Sequence, residues 1–491
     1  MSIFTTLSAA DAEAEKPFPT LSQEKISQLG LINTFVASSA VRSSSTFDDG
    51  LTPTARLYAE LRGQYVKSTL QNLASATVST AKKKVPDAIY QRDSNGIGTY
   101  KAAMEECFLA EFDNICNVFG RDDWGPVLRL TCRGAMSDMS NALRDLNTHI
   151  RANLTTDCFL GFEILDLISR LAASMESKTG ELKLSFQDAL KPIRDTAKSS
   201  LAELLDDVRQ RVTNIPSIPT DAAVVPVTIE TMQRLQNMTP YMAPLSSILT
   251  ALGDGNWTST AASNNASSTS LPSLKSFDVG ADGRKLLGHY AMDNIEVLMQ
   301  NLESRGRNQQ AATKGKDNKG NTLLGAFLAN NVAIIERMIR TSDLAPLLTD
   351  SMARIDFWRK KGKTLYSDAW RETSTFLLDA VHTNRGGQRP PSGSSSNINS
   401  AEVVKALSGK EKDVIKDKFR NFNTSFDTLV ERHKGFMMER EVRAMLGREI
   451  QAMIEPLYCR FWDRYHEIDK GKGKYVKYDK SQLVGILAGL G

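Results

Sequence analysis

Apolar residues recur at helical spacing along most of this chain. Leu324, Leu328, Val332, Ile335 and Ile339 fall at offsets of 0, 4, 8, 11 and 15, one stripe of a 3.6-residue period. Ile415, Phe419, Phe422, Phe426 and Leu429 make a second stripe. Val442, Leu446, Ile450, Met453, Leu457 and Phe461 make a third, with Pro456 near its end. The one strand-like run is AAVVPVTI at 222–229, and Pro226 argues against a central strand there. The spacing therefore predicts an all-α protein with almost no strand. Successive amphipathic helices must bury their stripes against neighbours, so the expected architecture is an elongated rod of stacked antiparallel helical hairpins. No fixed-period repeat is visible, which sets the chain apart from a consensus solenoid.

Breaks in the pattern divide the chain. Residues 1–50 are rich in Ser, Thr and Ala and read as a flexible leader; 51–253 read as the first helical part. The Ser/Thr/Asn-rich stretch 254–275 lacks charge in its centre and reads as a surface loop. Residues 276–383 form the middle helical part, 384–400 a Gly/Pro/Ser loop, and 401–491 the C-terminal helical part. A further basic loop is expected at 305–320. With 491 residues and 41% hydrophobic content, the chain is long enough for roughly three domains or one extended body. No run approaches 18 consecutive apolar residues, which argues against a transmembrane helix, and the N-terminus lacks the features of a secretory signal. Five cysteines without CxxC spacing (Cys107, Cys116, Cys132, Cys158, Cys459) read as free thiols of a reduced, cytoplasmic protein.

Catalytic and metal-binding patterns are scarce. There is no P-loop, HExxH or GxSxG, and GKGKYV at 471–476 lacks both the third Gly and the preceding strand of a dinucleotide fold. The five histidines are scattered, with no two at ligand spacing. Asp122–Asp123 read as loop or helix-capping residues. DVGADG at 278–283 has His289, not Glu, at the twelfth position of a calcium loop. No enzyme activity, metal or cofactor is expected.

Charge position is more informative. Residues 410–491 hold 17 Lys+Arg against 13 Asp+Glu, a surplus equal to the +4 of the whole chain. Within KGKGKYVKYDK, Lys470, Lys472, Lys474, Lys477 and Lys480 stand against Asp479 alone. The interleaved glycines read as a source of mobility, and the cluster suits an anionic lipid surface. At ~1 kcal/mol per surface lysine, four net charges contribute about 4 kcal/mol, a Kd of order millimolar, so a polyvalent headgroup or further patches are needed. Lys82–Lys83–Lys84 and Arg359–Lys360–Lys361–Lys363 are candidate further patches. No nucleic-acid motif accompanies the charge, and nucleic acid is not an expected partner. An acidic protein partner is the alternative to lipid. LVGILAGLG at 483–491 reads as a last packed helix rather than a membrane insertion.

Several ordered segments carry a family resemblance. The stretch IKDKFRNFNTSFDTLVERHKGFMMEREVRAMLGREIQAMIEPLYCRFWDRY, followed by KYVKYDKSQL, resembles the C-terminal region of the seventy-kilodalton subunit of the exocyst tethering complex. So do GNTLLGAFLANNVAIIERMIRTSDLAPLL, with paired Asn330–Asn331, and YSDAW at 366–370. TARLYAELRGQYVKSTLQNLA and NGIGTYKAAMEECFLAEFDNICNVF are similar to the family's middle region, and EKPFPTLSQEKISQLGLINTF is most similar to filamentous-fungal members. The resemblance spans roughly residues 15–491. It implies a non-catalytic helical rod, cytoplasmic and peripheral at the plasma membrane at sites of secretion, that tethers secretory vesicles before exocytosis. It further implies phosphatidylinositol 4,5-bisphosphate binding, with Lys474 and Lys477 matching the lysines of the family's Lys-Tyr-hydrophobic-Lys-Tyr motif. Lys470, Lys472 and Lys480 add general attraction. Other exocyst subunits and Rho-type GTPases are the implied partners. Family members usually begin with a coiled coil, and this sequence starts after it, as expected either of a shortened paralogue or of an incomplete sequence; a true absence would bear on assembly. Phe436 stands where a tryptophan is common and keeps an apolar anchor.

Overall fold

The computed structural model describes residues 18, 20–40, 51–83, 88–258, 282–312, 319–378 and 400–491. Most of the 254–275 and 384–400 loops, Lys84 and most of DVGADG lie outside them. Every regular element among the described residues is helical. The chain divides into two compact units, residues 1–204 with 240–286 and residues 205–239 with 287–491.

The first unit is built on α1 (Gln23–Ala40), α2 (Pro53–Lys82), α3 (Ile97–Val118), α4 (Trp124–Ala152), α5 (Leu154–Thr179), the first two-thirds of α6 (Lys183–Thr213), and a later helix, Met242–Leu252. Residues 1–50 are thus not uniformly irregular, because α1 occupies the middle of that stretch. Two side-chain hydrogen bonds hold it, Leu21 N–H to Asn114 Oδ1 (2.8 Å) and Thr54 Oγ1–H to Asn33 Oδ1 (2.8 Å). From α2 to α5 consecutive helices run antiparallel. Arg62 and Tyr58 of α2 meet the buried Glu111 near the far end of α3, and Asn95 at the start of α3 donates to Thr77 O (2.8 Å) near the end of α2. Asp122–Asp123 lie in a 3-10 turn, Arg121–Asp123, that leads into α4, and neither caps the helix with its side chain. None of the five cysteines is in a disulfide; Cys107, Cys132 and Cys158 are buried. Burial pushes the Cys107 thiol up to about 12, which makes it inert.

The second unit holds α7 (Pro226–Met238), most of α9, α10 (Lys319–Arg340), the short α11 (Ala345–Leu348), α12 (Met352–Thr375), α13 (Ser400–Ala406), α14 (Gly409–Gly435), α15 (Arg440–Tyr465) and α16 (Lys480–Ala488), with α8 being the Met242–Leu252 helix above and α9 running Gly283–Ala312. The strand-like run resolves into helix at Pro226, which takes the first helical turn where its missing N–H costs nothing. The expected loop at 305–320 is helical to Ala312, because the Arg305 guanidinium bonds Ile215 O (2.8 Å) and Pro216 O and holds that end of α9. On α15 the buried face is Val442, Leu446, Ile450, Ile454, Tyr458, Phe461 and Tyr465, one position off the predicted stripe at Met453 and Leu457. The helix continues past Pro456, whose ring is exposed.

The α10 helix is the core of this unit. Residues Asn321–Arg340 are long and apolar enough by composition to cross a membrane, which counting consecutive apolar residues overlooked, yet 72% of that window is buried in protein. Its buried asparagines tie down two loops. Asn330 Nδ2 donates to Ala222 O (2.7 Å) and Met437 O (3.0 Å), while its Oδ1 accepts from Glu439 N–H (3.0 Å). Asn331 Oδ1 accepts from Thr228 Oγ1 (2.6 Å). Against α12 the backbones nearly touch: a Cβ at Gly325 would meet Tyr366 N and lie 2.8 Å from Gly362 O, and one at Gly362 would lie 3.0 Å from Ala329 N. Backbone cannot give way as a flexible side chain can. We expect Gly325→Ala to destabilise the protein by about 1–3 kcal/mol. Gly485→Ala, in a helix with nothing within 4 Å of the added carbon, should be neutral or slightly stabilising. Urea unfolding midpoints of the two variants against wild type check both expectations.

Candidate functional site: a cationic loop at the end of the chain

The lysine cluster sits on a loop carried by α14 and α15. These helices pair antiparallel through the predicted aromatic stripe. Phe419 lies 4.9 Å from Phe461 and Phe422 lies 5.2 Å from Tyr458, ring centre to ring centre. Ser408 and Glu411 form a capping box at the start of α14. After α15 a 3-10 turn, His466–Asp469, leads into the loop, and α16 closes it with a second capping box between Asp479 and Gln482.

The glycines of the loop set its path rather than loosening it. Lys470, Gly471 and Gly473 adopt φ of 48°, 69° and 65°, a left-handed sequence that glycine enters without steric cost. The buried Asp469 carboxylate accepts from Tyr475 N–H (2.8 Å) and Val476 N–H (3.3 Å) across the turn. Asn423 Nδ2 of α14 donates to Tyr475 O (2.8 Å), and Tyr458 O–H of α15 donates to Tyr478 O (2.7 Å). Tyr478 packs edge-on against Phe426 (5.8 Å). The loop is thus tied to both helices by backbone and side chain alike.

The five lysines fall into two groups. Lys470, Lys472 and Lys474 are exposed, and no described carboxylate pairs with them; Lys474 Nζ lies 5.4 Å from the centre of its neighbour's Tyr475 ring. Lys477 is held by Asp427 Oδ2 (2.5 Å), and that hydrogen bond raises its pKa to about 12. Lys480 is paired with Asp463 and lies 5.2 Å from the centre of the Trp462 ring, on which His466 stacks at 3.8 Å. Two further cations converge on Tyr475 from α14, Lys416 (5.7 Å) and Arg420 (5.5 Å), each also paired along its own helix with Asp413 and Asp417. Sequence reasoning missed Lys416, Arg420, Asp427 and Asp469 because the loop residues they meet lie 6 to 59 positions away and come to them only through the fold. The i, i+4 spacing of Lys416 and Arg420 is the one signal the sequence offers for them.

The other candidate patches fare differently. Lys82 and Lys83 are exposed at the end of α2. The Arg359–Lys363 run is largely neutralised within its unit: Arg359 pairs with Asp356 and Glu336, Lys361 with Glu303 (2.5 Å), and Lys363 with Glu449 (2.9 Å), leaving Lys360 exposed and without such a partner among the described residues. Among the described residues no three His, Cys, Asp or Glu side chains are grouped to hold a metal.

Beyond the loop the chain is locked down again. Leu483, Leu487 and Leu490 are buried, so LVGILAGLG packs as the last helix and its end. His433, fully buried on α14, bridges two elements: its Nε2 lies 2.7 Å from Leu490 O and its Nδ1 2.6 Å from Tyr366 Oη. A carbonyl only accepts, so Nε2 carries the proton and the Tyr366 hydroxyl donates to Nδ1. Phe436 is buried, and its carbonyl and that of His433 both accept from the Arg443 guanidinium. Burial, aided by the Arg443 charge, lowers the His433 pKa to about 4 from an ordinary 6.5. A depressed pKa contributes stability above the unfolded value and loses it as pH falls toward the folded one. We expect wild type to lose on the order of 3 kcal/mol from this group between pH 6.5 and pH 4. Denaturation curves across that range should show a shallower slope for His433→Gln, since Gln does not titrate.

Fold and site together define an all-α protein of stacked antiparallel helices whose C-terminal part carries a tied, cation-bearing loop. Residues 94–489 match the family model that describes the C-terminal part of the Exo70 component of the exocyst complex. The chain is 49% identical over 474 residues to the exocyst complex protein exo70 of Neurospora crassa, covering 96% of this chain and 73% of that one. It is 48% identical over 476 residues to the Gibberella zeae exocyst complex protein EXO70, covering 97% and 72%. A solved structure of S. cerevisiae Exo70 aligns with a TM-score of 0.70 at 20% identity, over 96% of this chain and 81% of that one, a likeness of fold. The chain belongs to the Exo70 family of exocyst subunits.

Proposed function

We propose that the chain is a subunit of the exocyst, that it tethers secretory vesicles to the plasma membrane, and that its C-terminal loop binds phosphatidylinositol 4,5-bisphosphate there. The observation that carries the lipid assignment is the presentation of Lys470, Lys472 and Lys474, exposed and without carboxylate partners among the described residues, on a loop whose backbone is fixed by Asp469, Asn423 and Tyr458. Cations held in place lose less freedom on binding than cations on a loose segment, which favours a polyvalent phosphate headgroup. Lys477 and Lys480 join once their present carboxylate partners are exchanged for phosphate. Other exocyst subunits and Rho-type GTPases are the proposed protein partners. The protein works from the cytoplasmic side, peripheral to the membrane at sites of secretion, and this reading assigns it no catalytic step.

The pairs Lys477–Asp427 and Lys480–Asp463 support a second reading. The loop lysines already accept carboxylates, so an adaptor docking an acidic protein uses the same chemistry without lipid. Vesicle co-sedimentation at physiological salt separates the two. Wild type should pellet with vesicles containing phosphatidylinositol 4,5-bisphosphate and much less with phosphatidylserine alone. Lys474→Ala/Lys477→Ala should weaken the bisphosphate-dependent binding roughly 30-fold, at ~1 kcal/mol per lysine, with an unchanged melting temperature. Wild type that ignores both vesicles would leave the adaptor reading standing.

A further inference from the structure

Asp427 has a position that simple attraction between a basic loop and an anion does not use. It lies on α14 beneath the loop with its side chain 34% exposed, and both its oxygens are engaged. Oδ2 is 2.5 Å from Lys477 Nζ, and Oδ1 accepts from the Tyr478 hydroxyl, whose ring is braced edge-on by Phe426. Asp463 also holds a loop lysine, Lys480, but no second donor engages it among the described residues, and the acidic residues on the same helix as Asp427 are held differently. Asp413 and Asp417 pair with Lys416 and Arg420 three residues along the same helix, and their side chains are 72% and 60% exposed. Such solvated pairs exchange readily with ions. Asp427 is fixed by a second donor and occupies one lysine of the family motif.

We propose that Asp427 is an internal competitor that sets how much negative charge a ligand must bring to this loop. The proposal rests on the lipid-binding reading above and concerns the selectivity of that same site. A ligand with one diffuse negative charge, such as a phosphatidylserine headgroup, gains little by replacing a carboxylate already in place. A headgroup bearing two phosphate monoesters engages Lys477 together with Lys470, Lys472 and Lys474 and displaces Asp427 with a net gain. Tyr478 is the positioning residue, since its hydroxyl fixes the carboxylate that competes.

The full chain is titrated with two sets of vesicles matched in total negative charge, one carrying phosphatidylserine only and one carrying phosphatidylinositol 4,5-bisphosphate. Removing one opposing charge should raise phosphatidylserine binding by Asp427→Asn about fivefold and bisphosphate binding by less, so that the preference of wild type shrinks. Tyr478→Phe, which keeps the ring and the charge, should shift the preference in the same direction. Asp417→Asn makes the same change in net charge and should leave the preference as in wild type. An equal rise on both vesicles, or an equal effect of Asp417→Asn and Asp427→Asn, overturns the proposal. Soluble inositol trisphosphate should release wild type from bisphosphate vesicles; failure to do so makes the membrane surface, not the headgroup, the ligand and overturns it as well. Absence of binding by wild type and all variants would instead remove the lipid-binding reading itself.

Discussion

The near-contact of backbones between α10 and α12 at Gly325 and Gly362 is the constraint from which the rest of the second unit follows. It seats α12 directly on the core helix, and α12 then presents Tyr366 and Trp370 to α14. Tyr366 donates to His433, and Trp370 meets Phe426 edge-on at 6.1 Å. With α14 placed, its aromatic face sets α15, and the two together supply Asn423, Asp427 and Tyr458 to the loop. The loop's geometry is therefore a late consequence of two missing side chains over a hundred residues upstream. Asn330 works alongside them by joining the segment before α7 to the segment between α14 and α15, so that both ends of this stack are tied to the same helix.

The helices were legible in the sequence wherever one face is buried and the other solvated, as on α14, because a 3.6-residue period then has only one interpretation. They were less legible where another influence decides. Pro456 looks like a helix end, yet α15 continues, since packing against α14 and α16 outweighs one lost backbone hydrogen bond. α9 extends into a run that reads as a basic loop because a tertiary bond to Ile215 O, invisible locally, supports its end. α1 escaped notice because its composition is that of a leader and three of its large apolar residues, Leu31, Ile32 and Phe35, remain exposed. The two-unit division was also beyond reach, because each unit draws on segments far apart in the chain.

For the site, the sequence located the lysines but treated them as five equivalent charges. Distances divide them into three that are displayed and two that are occupied, and only the fold could do so, because Asp427 and Asp463 lie 50 and 17 positions from Lys477 and Lys480. The glycines were misread for a related reason. Gly in a polar run is compatible with mobility and with a left-handed turn alike, and the choice depends on whether an acceptor such as Asp469 is present to gather the N–H groups. The same contrast separates this loop from the Arg359–Lys363 run, where a denser cluster of cations is mostly paired with carboxylates of neighbouring helices.

A loop whose course is set by main-chain hydrogen bonds and left-handed residues behaves as a template. It dictates where each Cα stands and leaves the chemistry at the ends of the side chains open. The backbone fixes where positions 472 and 474 stand without fixing which cation they carry, whereas Gly471, Gly473 and Asp469, together with the left-handed position 470, have no such freedom. The course of the loop is thus carried by its main chain, and the charge it displays is carried separately by the side chains.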